Sequence, residues 1–271
     1  MLKGLAASIM LIAFVSIAGA QTQKIVDAEH AFAARALEVG EPQAFVELMT
    51  DNAWAFVPHA VEAKPFWSAQ KRDESVLEWA PNFADAASDG SFGYTTGNWQ
   101  IRPKKGAEPS VFGEFNTIWV RQPDGGYKWV ADIGTGHGRQ PYSTDWKTSK
   151  QSAASGAVIP SSSVTISQYE GEGIRDIQVA YDKLASDNIR MIRKDQLPII
   201  GKGAAKKAMS GKITLGVSLS EKRSADMAYV LRPYTLTNDT AVERGNQLQV
   251  WKYEKGKWRI VLDVLKPVPA K

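Results

Sequence analysis

The sequence predicts an α+β protein made of two similar units, each with helices first and strands afterwards. Three observations predict it. Apolar residues at helical spacing open each half: Ile25, Ala28, Phe32 and Ala36, then Ile174, Ile177, Tyr181 and Leu184. Strand-like runs bounded by turn residues follow in both halves. Each half closes on a hairpin with a tryptophan on either arm and an aspartate downstream: Trp119, Trp129 and Asp132, then Trp251, Trp258 and Asp263. Helices and strands segregated in this way, twice over, point to an α+β tandem.

In the first half, the helical stripe of residues 24–39 ends at Gly40. Pro42 suits the first turn of a short second helix carrying Phe45, Leu48 and Met49. Residues 53–58 (AWAFVP) read as a strand, and 64–79 as a third helix around Phe66, Val76 and Leu77. Three strands follow at 91–102, 111–121 and 127–134, the last two joined by Pro123-Asp124-Gly125-Gly126. Glycine there accepts the positive φ of a tight turn.

In the second half, the stripe from Ile174 is followed by a short strand at 189–193 and a helix opening at 203–210. Strands are predicted at 213–219, 225–237, 241–252 and 257–265, with Glu254-Lys255-Gly256-Lys257 as the last hairpin turn.

Composition sets the limits. Of 271 residues, 44% are hydrophobic and 23% charged, as in ordinary globular proteins. There is no cysteine, which excludes disulfides, thiolate metal sites and cysteine nucleophiles. Residues 1–20 (MLKGLAASIMLIAFVSIAGA) combine Lys3, an apolar run from Leu5 to Ile17 and small residues at Ala18-Gly19-Ala20. That is the pattern of a secretory signal cleaved after Ala20, with export most simply to a bacterial periplasm. The apolar run is shorter than the roughly 20 residues of a spanning helix, so no stable membrane anchor is expected.

Residues 141–167 include eight serines and two prolines with no hydrophobic period, and read as a linker between units at 21–140 and 168–271. Residues 21–140 hold 11 basic and 16 acidic side chains, a net of −5; residues 168–271 hold 19 and 12, a net of +7. The imbalance allows the halves to pair within the chain; it also allows a basic surface facing a polyanion, or simple solvation. The densest basic stretch, 202–212, lacks interleaved aromatics, so no nucleic-acid partner is expected. All nine phenylalanines lie at or before Phe115, and seven of nine tryptophans lie within 54–146. A ligand pocket is therefore expected in the first half.

The segments SDGSFGYTTGNW (88–99) and GEFNTIWVRQPDGGYKWVADIG (113–134) resemble the nuclear transport factor 2-like superfamily, in the branch near the SnoaL-like polyketide cyclases and ketosteroid isomerases. IIGKGAAKKAM (199–209) and VWKYEKGKWRIVLDV (250–264) are similar to the same domain, giving two copies. The resemblance implies a cone in each half: a strongly curved antiparallel sheet wrapped around helices, with a cavity at the open end. It also implies pairing through the sheets, within the chain or as a homodimer. Isomerases, cyclases, dehydratases and non-catalytic binding or association domains share this fold, so fold does not decide function.

Enzymes of that type need a general base near a carbonyl and an acid facing the enolate. A carboxyl in an apolar cone suits either role, because burial raises its pKa. Asp132 and His137 are the candidate acid–base pair. Trp54, Phe56, His59, Tyr94, Trp99 and Glu114 are candidates for the wall or mouth, although Tyr94 also fits a core position and Glu114 a solvent face. Histidines at 30, 59 and 137 have no metal-ligand spacing, and GKGAAKK (201–207) lacks the phosphate-loop pattern, so neither metal nor cofactor is expected. A binder of a small apolar or aromatic molecule is the leading expectation. The alternatives are a SnoaL-like enzyme and a non-catalytic association module.

Overall fold

The computed structural model describes residues 17–149 and 159–269. The first half runs α1 (Ile17–Val39), α2 (Glu41–Leu48), β1 (Met49–Phe56), β2 (Ala60–Glu62), α3 (Ala63–Ala69), β3 (Val76–Ala86), β4 (Phe92–Arg102), β5 (Val111–Arg121), β6 (Tyr127–Asp132), β7 (Thr135–His137) and β8 (Lys147–Thr148). The second runs α4 (Ser162–Arg175), α5 (Ile177–Leu184), β9 (Ala185–Arg193), β10 (Ile199–Ile200), α6 (Lys202–Ala208), β11 (Lys212–Leu215), β12 (Ser220–Arg223), β13 (Met227–Thr237), β14 (Val242–Glu254) and β15 (Lys257–Pro267).

The two strand orders are the same. One sheet reads β2-β1-β6-β5-β4-β3 with β8 beyond, and the other β10-β9-β15-β14-β13-β11. Each is mixed rather than purely antiparallel, because β1 runs parallel to β6 and β9 parallel to β15. The irregularities recur as well. The parallel pairs shift register between Met49 and Trp54 and between their counterparts Ala185 and Arg190. The hairpins shift between Ile118 and Trp119, and between Val250 and Trp251. Such bulges bend a strand and increase its twist, which gives both sheets their curvature.

This register aligns the halves residue by residue. Trp119 corresponds to Trp251 and Asp132 to Asp263, as the sequence suggests. The second arms differ: Trp129 lies opposite Trp119, whereas Ile260 lies opposite Trp251, and Trp258 takes the place of Tyr127. The Trp129–Trp258 pairing predicted from sequence is thus two positions out of register.

Other expectations are also corrected. The helix predicted over 64–79 stops at Ala69, and its last residues open β3, a strand the sequence reading lacks. Alanines and Pro81 disguise β3, and the strand tolerates the proline beside a bulge between Pro81 and Phe83. The apolar stripe from Ile174 is split between two helices. Asp176 ends α4 and starts α5, its carboxylate accepting from the Gln178 backbone N–H. Part of the expected linker is structured: Lys147–Thr148 pairs with β3, and α4 begins at Ser162; residues 150–158 lie outside the described segments.

Each sheet buries two faces. The inner face of the first holds Phe32 of α1 among Phe45, Trp79, Trp119 and Trp129. The outer faces pack on each other. Tyr94, Ile118 and Ala131 share one buried cluster with their register counterparts Tyr229, Val250 and Leu262. At its edge Lys252 Nζ meets Asp85 at 2.5 Å, both side chains at most 5% exposed, the one ion pair joining the halves among the described residues. The opposite net charges thus contribute little directly, and apolar burial joins the sheets.

Candidate functional site

The first sheet encloses a cavity of about 190 Å³ between its inner face and the helices. Aromatic rings make most of the wall: Phe45 from α2, Phe56 from β1, Trp67 from α3, Trp79 from β3, Trp99 from β4 and Phe115 from β5. Ala55, Val57, Leu77, Ile101 and Gly134 complete the apolar lining, and Asp132 is the only ionisable residue on it among the described residues.

Strand alternation puts Ala55, Trp99, Phe115 and Asp132 on this face, whereas Phe56, next to Ala55, belongs to the buried cluster between the two sheets. Asp132 ends β6 directly opposite Thr117 of β5, whose hydroxyl donates to Asp132 Oδ2 at 2.8 Å. No other protein donor to this carboxylate is found among the described residues. Burial pushes the Asp132 carboxyl up to about 6, against the pull of Thr117 and the more distant Lys266 ammonium. Lys266 makes no ion pair with Asp132; it donates to the Gly134 carbonyl at 2.7 Å.

Trp99 lies flat over Gly113, its partner across the strand pair. A Cβ at Gly113 would sit 2.1 Å from the Thr135 carbonyl and 2.3 Å from the Trp99 ring. Gly113→Ala is therefore expected to drive the indole into the cavity and destabilise the protein by about 1–3 kcal/mol. Unfolding curves check the stability, and loss of any apolar-probe binding checks the closure.

Behind the cavity is a group the sequence reading missed. Glu29, fully buried in α1, accepts from Trp79 Nε1 at 2.6 Å, Thr95 Oγ1 at 2.5 Å and Trp119 Nε1 at 2.9 Å. Burial outweighs these three donors and pushes its carboxyl up to about 7, with the Asp132 charge adding to the rise. The signal was present: Glu29 falls at i+4 from Ile25 and i−3 from Phe32, within the apolar stripe.

The candidate residues separate by face. Asp132 and Trp99 line the cavity, and Phe56 borders it while belonging to the buried cluster between the sheets. Tyr94, Glu114 and Trp54 face the second sheet instead, Tyr94 and Trp54 against its apolar cluster. Glu114 is fully buried there, opposite Asn98, and the neighbouring pair is Thr96 with Asn116. His137 lies on β7, with Nε2 3.7 Å from Glu114 Oε1, while Gln140 donates to the same oxygen at 2.6 Å. Burial pushes the Glu114 carboxyl up, opposed by Gln140, Arg190 and His137. His59 is exposed, beside Pro233 and Arg244 of the second half. The structure therefore does not bring Asp132 and His137 together: they lie on opposite faces of the sheet, and His137 partners Glu114.

The second shell supplies a built-in comparison. Its counterpart of Asp132, Asp263, is fully buried and accepts from the Tyr181 hydroxyl, from Arg193 Nη2 at 2.9 Å and from Gln247 Nε2 at 3.0 Å. Register places Arg193 where the first half has Val57, Gln247 where it has Phe115 and Tyr234 where it has Trp99. The buried guanidinium lies inside the second cone, donating to the Tyr181 hydroxyl and to the Asp263 carbonyl and carboxylate.

No family model and no curated protein matches the chain. Solved structures do. An NTF2-like protein of unknown function from Shewanella oneidensis MR-1 is 15% identical over 37% of this chain and 92% of its own, with a TM-score of 0.32. A candidate ketosteroid isomerase from Parabacteroides distasonis ATCC 8503 is 14% identical over 38% and 85%, with a TM-score of 0.33. A candidate scytalone dehydratase from Novosphingobium aromaticivorans DSM 12444 is 12% identical over 39% and 80%, also with a TM-score of 0.33. The likeness is one of backbone arrangement and names no ligand for this chain.

Proposed function

We propose that this chain is an exported binding protein whose first cone takes one small, mainly aromatic molecule, while its second cone serves as a packed support. The observation that carries the reading is the contrast between two shells of one register. One encloses about 190 Å³ walled mainly by aromatic residues, and in the other Arg193 and its partners lie in the interior. A cavity of about 150 Å³ takes benzene, so this volume suits a single substituted ring and is too small for a fused four-ring skeleton.

A binding role is favoured over paired acid–base chemistry. Asp132 is the only ionisable residue on the wall among the described residues. Glu29 is closed off behind Trp79 and Trp119, and His137 serves the opposite face. Export rests on the N-terminal sequence pattern. Among the described side chains of α1 the first buried one is Thr22, which lies after the expected cleavage point at Ala20. N-terminal sequencing of the secreted protein checks this, and a mature chain retaining residues 1–20 would overturn it.

Thermal-shift titration with toluene, indole and pyrene tests the binding reading. The single-ring probe is expected to raise the melting temperature, and pyrene to leave it unchanged. Phe115→Trp, which fills the cavity, is expected to abolish the toluene shift. No shift with any probe would count against a ligand-binding cone.

A further inference from the structure

We propose that the ligand of the first cone is a small organic cation, a protonated amine or amidine on a single ring, held with its charged nitrogen on Asp132. The inference rests on the binding reading above and adds the ligand's charge.

Asp132 receives one hydroxyl, from Thr117 on Oδ2, and otherwise faces a wall of aromatic and aliphatic side chains. A wholly apolar ligand would displace water from this carboxylate and give nothing in return, which is unfavourable for a charged group. A ligand carrying a nitrogen donor supplies the missing partner.

The second shell shows which partner the position accepts. The same aspartate, one register copy later, is met by a guanidinium: Arg193 Nη2 lies 2.9 Å from Asp263 Oδ2. The first shell has Val57 at that arginine's position, so its carboxylate lacks the cation. An external cation would take the place that Arg193 occupies internally. The walls suit it as well, since Trp79, Trp99 and Trp67 present indoles, the aromatic faces that attract cations most strongly. Lys266 does not fill the role: its ammonium donates to the Gly134 carbonyl, makes no ion pair with Asp132 and acts on it only from a distance.

The test compares ligands of one shape in the full chain by calorimetric titration: benzylamine and benzamidine against toluene and benzyl alcohol. The cations are expected to bind at least tenfold tighter than toluene. Asp132→Asn is expected to reduce benzylamine to the affinity of benzyl alcohol and to leave toluene binding as tight or tighter, because the carboxylate no longer has to be stripped of water. Toluene binding as tightly as benzylamine would overturn the charge assignment and leave the binding cone standing. Failure of all four probes would overturn the binding reading itself. The wild-type comparison decides the matter even if the variant fails to fold.

Discussion

Lys252→Met is expected to lower the unfolding free energy by about 3–5 kcal/mol, the usual consequence of leaving one member of a buried pair without its partner. Lys252 and Asp85 meet at 2.5 Å where the two sheets join, and both are almost wholly enclosed. Burial already outweighs the pull of Lys252 and pushes the Asp85 carboxyl up. Without the ammonium, Asp85 must stay charged in an apolar seam or bind a proton. The double variant Asp85→Leu/Lys252→Met is expected to recover most of the loss, because a buried pair replaced as a unit by apolar groups is close to neutral. Urea unfolding of the four proteins completes the cycle. The shared cluster around Tyr94, Ile118, Tyr229 and Val250 predicts one cooperative transition for the wild type. Two separate transitions, with Lys252→Met affecting only one, would mean that the halves fold independently.

Glu29→Gln is expected to remove a large share of the pH dependence of stability between about pH 4.5 and pH 7. The Glu29 carboxyl sits at about 7 in the folded protein against an ordinary 4.5. Below 4.5 it is protonated in both states. Between these values the folded state keeps a proton that the unfolded chain has released, so stability falls as pH rises. By pH 8 the loss approaches about 3 kcal/mol. Asp132, raised to about 6, adds a smaller fall in the same window. Glutamine retains an acceptor for the tryptophan N–H groups and has no proton to lose. Chemical denaturation at pH 5 and pH 8 measures the effect, and an unchanged difference between the two pH values in the variant would refute it.

The sequence made the helix-then-strand order legible because its apolar spacing switches period within each half. It hid β3, where Pro81 and three alanines lower strand character and packing decides the outcome instead. The tandem was visible at Trp119 and Trp251, but the register was not, since tryptophans on opposing arms need not occupy matching positions. For the site, the concentration of aromatics located the hollow half. It could not assign faces: in β4, Tyr94 and Trp99 lie five residues apart and so on opposite sides of the sheet, one at the seam and one on the cavity. His137 and Asp132 were parted by the same alternation and by the start of β7. Glu29 was legible as a charge on an apolar stripe, and Arg193 only once β9 was aligned with β1.

The account stands on two shells of one register, one hollow and one with its own arginine in the interior. A crystal under xenon pressure tests this directly, because xenon enters apolar cavities that exclude water. The predicted result is xenon between Trp99 and Phe115 and none beneath Tyr234, where Arg193 and Asp263 meet. Xenon absent from the first shell, or present in the second, would contradict it.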